Sequence, residues 1–285
     1  MDTSDLAKRM KGYEERNRYY LQRRMPVILR LDMRAGHGFT KGFVRPFDEV
    51  FIKTMQETAK YLCENIQGCK LSYQQSDEIT LVLVDYDKLN TDCFFDYRVD
   101  KLCSIAASMA TMAFNKAFRK NVNDWWFTPF SGITKEFQER ETLYKTYKNA
   151  IEKGAMFDCR CFNIPKEEVT NLVYWRQLDA SRNSIQMVGQ ANFSHKELQN
   201  KSCNDIQDML MTREGINWND LPIYQKRGSC CVRNKIIIST DGIKETALLR
   251  DTSKSENEWI IDTKIPIFKN EDREYIDRLV YVSEE

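Results

Sequence analysis

The apolar positions of this chain change period several times, and the changes predict a β-α-β-β-α-β succession followed by a mainly helical half. Residues 27–31 (VILRL) are a short apolar run of strand type, set between Pro26 and Asp32. Pro46 and Asp48 then open a helix, with Asp48 suited to the N-cap. Its apolar face is Phe51, Met55, Leu62 and Ile66, and Gly68 supplies the stop signal. Residues 71–84 (LSYQQSDEITLVLV) read as a hairpin whose polar turn at 74–77 divides an apolar lead-in from a β-branched run. A second helix over 98–118 is rich in Ala and Met and apolar on most sides, so it is expected against the sheet. Residues 156–164 give a further strand, closed by Pro165. This order is the ferredoxin-like arrangement, which brings the ends of the first strand and the hairpin side by side.

The remaining segments refine that α+β picture. Residues 1–24 form a polar, basic lead-in, helical around 7–21 and ending in Arg23 and Arg24. Residues 33–41 (MRAGHGFTK) read as a loop whose backbone N–H groups can approach an anion. From 121 to 153 the composition turns aromatic and then charged, which predicts an exposed helical insertion centred on about 131–153. Residues 167–190 predict one long helix or two, and Ser194-x-x-Glu197 a capping box opening a helix that Gly215 ends. Strand-type runs follow at 230–239 and 259–268, and DREYIDRLVYV comes last. We expect a catalytic core over 1–165 and a helical, small-strand lobe over 166–285, packed as one unit.

Composition narrows the function classes. The 285 residues carry a formal net charge of +1, so local patches rather than bulk charge must attract any nucleic acid. The first residues are charged throughout, unlike a signal peptide, and no apolar run reaches the ~20 residues of a membrane span. Nine scattered cysteines with only two histidines and no CxxC argue for reduced, mostly buried thiols in a cytoplasmic protein rather than a zinc site.

The candidate chemistry lies in two acids, Asp32 at the end of the first strand and Asp77 in the hairpin turn. An Asp in a turn is ordinary turn chemistry. Two such acids brought together can instead share hard divalent cations, since Mg²⁺ takes one or two carboxylates plus substrate phosphates. The natural use is two-metal nucleotidyl transfer, with the Met33 backbone carbonyl as a further ligand that any side chain permits. If both lie in the strand, Glu78 points to the other sheet face from Asp77, and it reads as a helper or structural acid. Arg30, Arg34, Lys41 and Arg45 surround the acids in sequence and can hold phosphates, or be solvated surface.

VILRLDMRAGHGFTKGFVRPFDE, YQQSDE, MFDCRCFNIP and WRQLDASRNSIQM occur in one order, and together they resemble the histidine-tRNA guanylyltransferase family of 3′–5′ polymerases. The resemblance implies a polymerase-palm core, two Mg²⁺ ions held by Asp32, Asp77 and the Met33 carbonyl, and nucleotide addition to the 5′ end of tRNA. It places the incoming nucleotide against Asp32, Met33, Arg34, Ala35, Gly36, His37, Ser76 and Asp77. Arg98 and Lys101 match the family's basic pair for 5′-end activation, by ATP where the end is a monophosphate. Arg176, Arg182 and Asn183 are the tRNA candidates, with buried ion pairs as the other reading. Tyr144 and Tyr147 read better as a solvated helix face than as tRNA contacts. The family usually has Gly where this chain has Met33 and an aromatic where it has Gly36. In place of the eukaryotic His-Ile-Asn-Asn-Leu-Tyr run the chain has SRNSIQ, keeping only Asn183.

Those departures resemble the bacterial and archaeal-type branch, which implies template-dependent repair of 5′-truncated tRNA with GTP or other nucleoside triphosphates. Addition of a single G at position −1 of histidine tRNA is the alternative. A nucleotide cyclase and a non-catalytic RNA-binding module are more remote. The resemblance also suggests a homotetramer.

Overall fold

The structure, a computed structural model, describes residues 3–130, 134–233 and 258–282. Its first helix, α1 (Asp5–Glu15), is capped by the Ser4 side chain, buries no residue and ends earlier than expected. Next come β1 (Val27–Met33), a single turn α2 (Gly36–Phe39) where the sequence suggested a loop, and α3 (Glu49–Asn65). The hairpin is β2 (Cys69–Gln75) and β3 (Glu78–Leu83), followed by α4 (Val99–Phe127), α5 (Thr134–Lys153) and β4 (Phe157–Asn163). The second half consists of α6 (Lys166–Asn192), α7 (His195–Leu198), α8 (Cys203–Met209), α9 (Ile223–Arg227), β5 (Ser229–Arg233), β6 (Trp259–Asp262) and α10 (Glu274–Val280).

The strands make one sheet in the order β4-β1-β3-β2-β5-β6, with every neighbouring pair antiparallel. Alternation along β1 sorts its side chains between two cores. Val27, Leu29, Leu31 and Met33 face α3 and α4, where Phe51, Met55, Leu62, Leu102 and Phe114 are buried. Ile28 faces the other way, into a cluster with Val169 and Val173 of α6 and Tyr275 and Ile276 of α10. Each such fully buried aliphatic side chain contributes about 2 kcal/mol relative to exposure. Strands β5 and β6 extend the same sheet, so the second half adds to the first rather than standing apart from it. Beyond the sheet, Ile185, Val188, Ile206 and Leu210 gather a smaller core of helices.

Several expectations change. Helix α4 runs nine residues past 118, to Phe127, because Val122 and Trp125 carry its apolar stripe onward. The segment expected as an exposed insertion is instead docked: Tyr147 and Ala150 of α5 are buried, and the Tyr147 hydroxyl donates to Asp48 Oδ2 at 2.7 Å. Tyr147 is therefore neither solvated nor free to touch RNA, while Tyr144 stacks on Trp126 with ring centroids 4.2 Å apart. The capping box at Ser194 and Glu197 is present, but a second one at Ser202 and Asp205 starts α8 afresh, so the expected single helix is broken. Gly215 does end the run, with φ at +66°. Of the two late strand runs, β5 stops being described at Arg233, and 234–239 lie outside the described residues. The run at 259–268 holds a strand only to Asp262.

Candidate active site

Asp32 and Asp77 are brought together by strand register and by one backbone hydrogen bond. In the β1–β3 ladder Asp32 stands opposite Glu78, the residue after Asp77. The Met33 N–H donates to the Asp77 carbonyl at 3.1 Å, which ties the end of β1 to the hairpin turn. The turn is tight: Ser76 takes a left-handed conformation (φ +48°), and Gln74 Nε2 donates to its carbonyl at 2.9 Å. Across from the turn, α2 presents Gly36. A Cβ there would fall 1.9 Å from Asp77 Oδ2, so the carboxylate rests directly on the glycine backbone. Gly36, one of the positions where this chain departs from the family it resembles, is thus the one that makes room for Asp77.

Negative charge is concentrated here and only partly compensated. Burial raises the Asp32 carboxyl above its ordinary range, helped by the charges of Asp77, Glu78 and Asp158 and opposed by Arg160. Burial likewise raises Asp77. Glu78 behaves oppositely. Burial pushes it up, but the Arg30 hydrogen bond and the Arg176 and Arg30 charges outweigh that and hold it low. Arg30 Nη2 lies 2.8 Å from Glu78 Oε1, Gln75 Nε2 donates to Oε2 at 2.9 Å, and Arg176 pairs with both Glu78 and Asp179. Glu78 is saturated by partners, whereas Asp32 and Asp77 repel each other. A divalent cation relieves that repulsion, so the donor set fits hard-metal binding. No group of three or more His, Cys, Asp or Glu side chains among the described residues is arranged to hold a metal ion.

Beside Asp77 opens a cavity of about 320 Å³. Its walls include Gly36, His37, Lys41, Arg45, Ser76 and Asp77, together with Asn183 of α6. By sequence these residues are candidates for three different tasks, and the fold collects them in one chamber. The chamber is completed by residues that sequence reasoning did not single out: Phe47, Gln75, Met187, Gln190, Tyr224 and Gln225. Tyr224 and Gln225 reach it because α9 leads into β5, which pairs with β2, and no local sequence signal announces that pairing.

Other candidates lie elsewhere. Arg30 and Arg176 are not in the cavity wall; Arg176 is buried in the ion pairs just described, so it has no surface to offer tRNA. Arg182 is exposed and paired with Asp179. Arg98, at the start of α4, holds Asp100 at 2.8 Å, and neither it nor Lys101 borders the cavity. Arg34 and Ala35 are exposed beside α2. Asp158, unremarked in the sequence, stands opposite Asp32 in β4. The nine cysteines are all free thiols, and no helix among the described residues is long and apolar enough to cross a membrane.

Comparison with known proteins adds a family. A family model described as tRNAHis guanylyltransferase matches residues 7–165. A solved bacterial tRNA(His) guanylyltransferase (Thg1)-like protein in complex with ATP is 39% identical, with a TM-score of 0.77 over 98% of this chain and 100% of that one. The corresponding structure in complex with GTP is 36% identical with a TM-score of 0.72 and the same coverage, 98% and 100%. The tRNA(His) guanylyltransferase of Saccharomyces cerevisiae is 26% identical over 233 residues, 77% of this chain and 87% of that protein.

Proposed function

Since this chain belongs to the tRNAHis guanylyltransferase family and is a nucleotidyltransferase, we propose that it adds nucleotides to the 5′ end of tRNA, templated by the opposite acceptor strand. The observation that carries the reading is the Asp77 carboxylate at the wall of a cavity that also holds Lys41 and Arg45, with Asp32 close enough that the charge of Asp77 helps to raise the Asp32 carboxyl above its ordinary range. The β-α-β-β-α-β succession, with Asp32 on β1 and Asp77 in the hairpin turn next to it, supports a polymerase-palm core within residues 1–165, with 166–285 as the lobe that closes it.

In this reading the cavity takes a nucleoside triphosphate, as the bacterial relative's complexes with ATP and GTP suggest. Lys41, Arg45 and His37 face its phosphates, and the 33–37 segment, Ser76 and Asn183 border the nucleotide. Asp32, Asp77 and the Met33 carbonyl would hold Mg²⁺, which when bound would favour ionisation of the attacking 3′-hydroxyl and neutralise the phosphates. The 3′-hydroxyl of the incoming nucleotide attacks the 5′ phosphate of the tRNA, and the activating group or pyrophosphate leaves. Arg98 and Lys101, away from the cavity, serve the 5′ end during activation, and Arg182 contacts the tRNA backbone. Glu78 acts through Arg30 and Arg176 as a structural acid. Base choice by pairing needs shape and backbone contacts from the protein, which suits a chain of nearly balanced charge. The templated form is favoured by the SRNSIQ segment and by the greater likeness to the bacterial protein than to the yeast enzyme. A cytoplasmic tetramer belongs to the same reading.

The test supplies a 5′-monophosphorylated tRNA lacking its first nucleotide, with ATP, the four nucleotides and Mg²⁺, and resolves products at single-nucleotide length. Addition of only the complementary base, lost in Asp77→Asn, is the expected result. Addition of G whatever the opposite base returns the protein to −1 guanylylation, and no addition to any tRNA sinks both.

A further inference from the structure

Helix α5 carries a polar stripe that the site described so far does not use. Lys135, Gln138, Thr142, Thr146, Asn149 and Lys153 recur at steps of three and four, so they share one face. All but Thr146 are exposed. Burial of Tyr147 and Ala150 on a different face of the helix keeps this one outward. Eighteen residues separate its ends, about 27 Å of helix, which is the length of about eight stacked nucleotides at ~3.4 Å each.

The stripe looks onto the loop that walls the nucleotide cavity. A Cβ on Gly42 would lie 3.2 Å from Thr146 Cγ2, and one on Gly38 would lie 4.0 Å from the Lys153 ammonium. Between α5 and Gly42 opens a groove of about 420 Å³, bordered by Lys135, Gln138, Thr142 and Thr146. Lys41, the residue before Gly42, stands on the cavity wall, so cavity and groove lie on two sides of one loop. Among the described residues Glu139 is the one acid that borders the groove. Lys135 on its wall, Lys41 at the shared loop and Lys153 farther along the stripe outweigh that charge, which suits a polyanion.

Strand polarity says which polyanion belongs there. In the 5′-addition reading the triphosphate of the incoming nucleotide marks the growing end of the helix, and Lys41 and Arg45 face it. The two strands of the stem are antiparallel, so the template strand leaves by that same end. Its nucleotides beyond the templating base have no partner. We propose that the groove and the α5 stripe hold this single-stranded 3′ overhang of the acceptor strand. The proposal rests on the 5′-addition reading above, and it leaves the space over the acids to the incoming nucleotide and its pair. Lysine, threonine, asparagine and glutamine side chains grip phosphate and sugar without reading sequence. The overhang is thus held in register while base choice stays with the template.

The experiment gives full-length protein a 5′-truncated tRNA with either of two 3′ ends, one with its whole overhang and one trimmed back to the templating nucleotide. For wild type the KM is expected to be about tenfold lower with the overhang. Gln138→Glu combined with Asn149→Asp keeps the size of two exposed side chains and places two negative charges along the phosphate path. This variant should raise the KM for the whole tRNA about tenfold, to the trimmed value, with the KM for the trimmed tRNA and for ATP unchanged. Equal KM for the two ends in wild type, or a variant that weakens both substrates alike, overturns the groove while leaving 5′ addition intact. A second readout needs no substitution. Irradiation of wild type with 4-thiouridine in the overhang is expected to cross-link the peptide spanning 135–153, and a cross-link confined to other peptides overturns the assignment. No addition by wild type to any tRNA overturns both readings.

Discussion

The Asp77 carboxylate occupies the space that a side chain at residue 36 would need: a Cβ on Gly36 would lie 1.9 Å from Oδ2 and 2.9 Å from Cγ. The clash falls on the end of a side chain rather than on backbone, so relief is available by swinging the carboxylate away. Gly36→Ala is therefore expected to fold with a near-native unfolding midpoint. It should lose about 100-fold or more in nucleotide addition, because a misplaced reacting group costs about that much. Parallel thermal melts and single-turnover assays check it. An alanine variant of full activity would show that Asp77 does not work from this position.

Much of this was legible beforehand because it is local. Asp48 is the helix cap that the Pro46 and Asp48 pattern announces, accepting from the Phe51 N–H at 2.9 Å. Asp32 and Asp77 meet because alternation and hairpin order leave few other arrangements. What stayed hidden depends on long-range packing. The cavity walls at Tyr224 and Gln225 come from a strand addition that has no local signature. The burial of Tyr147 was concealed by the lysines and glutamates around it, which mark an exposed helix face while the opposite stripe packs on α4. Arg176 could be read as a surface contact or a buried ion pair, and only the partner across the sheet, Glu78, decides between them.

That pair yields a stability prediction. Arg176 is 5% exposed, and replacing Glu78 by Gln removes the charge it shares with Arg30, leaving Asp179 as its remaining carboxylate. Loss of one partner from a buried pair costs about 3 kcal/mol, so Glu78→Gln should melt well below wild type at neutral pH. The folded-state pKa of Glu78 is held below its ordinary 4.5. Its contribution is then fully present above that value and is lost as pH falls through the folded pKa. The wild-type and Gln melting curves should accordingly converge below about pH 4.5. A gap that is constant with pH would show that packing, not charge, separates them.

Asp48 joins three elements. Its Oδ1 accepts from the Phe51 N–H at 2.9 Å, and its Oδ2 accepts from the Val44 N–H at 3.0 Å and the Tyr147 hydroxyl at 2.7 Å. Tyr147→Phe deletes one hydrogen bond to a charged acceptor and is expected to cost about 1.5 kcal/mol. Asp48→Ala loses the cap as well and strands the buried Tyr147 hydroxyl, so it should cost more, about 3 kcal/mol. Denaturant titration measures both. Equal losses would mean that the hydroxyl alone holds α5 against the start of α3.

Lys41 and Arg45 are exposed at the rim of the cavity, which makes their role separable from stability. Replacing both by Met keeps the aliphatic stems and removes two charges facing the proposed triphosphate. Folding should be unaffected, since surface substitutions of this kind change stability by less than about 0.5 kcal/mol. The KM for ATP should rise about tenfold, equivalent to ~1.4 kcal/mol, while the KM for a tRNA with a preformed 5′-triphosphate changes less. Salt supplies the second reading. Exposed charges are screened over about 10 Å at 0.1 M ionic strength. Raising salt should therefore weaken ATP binding by wild type more steeply than by the double variant. If the two salt slopes coincide, these side chains are solvated surface and the phosphates are held elsewhere in the cavity.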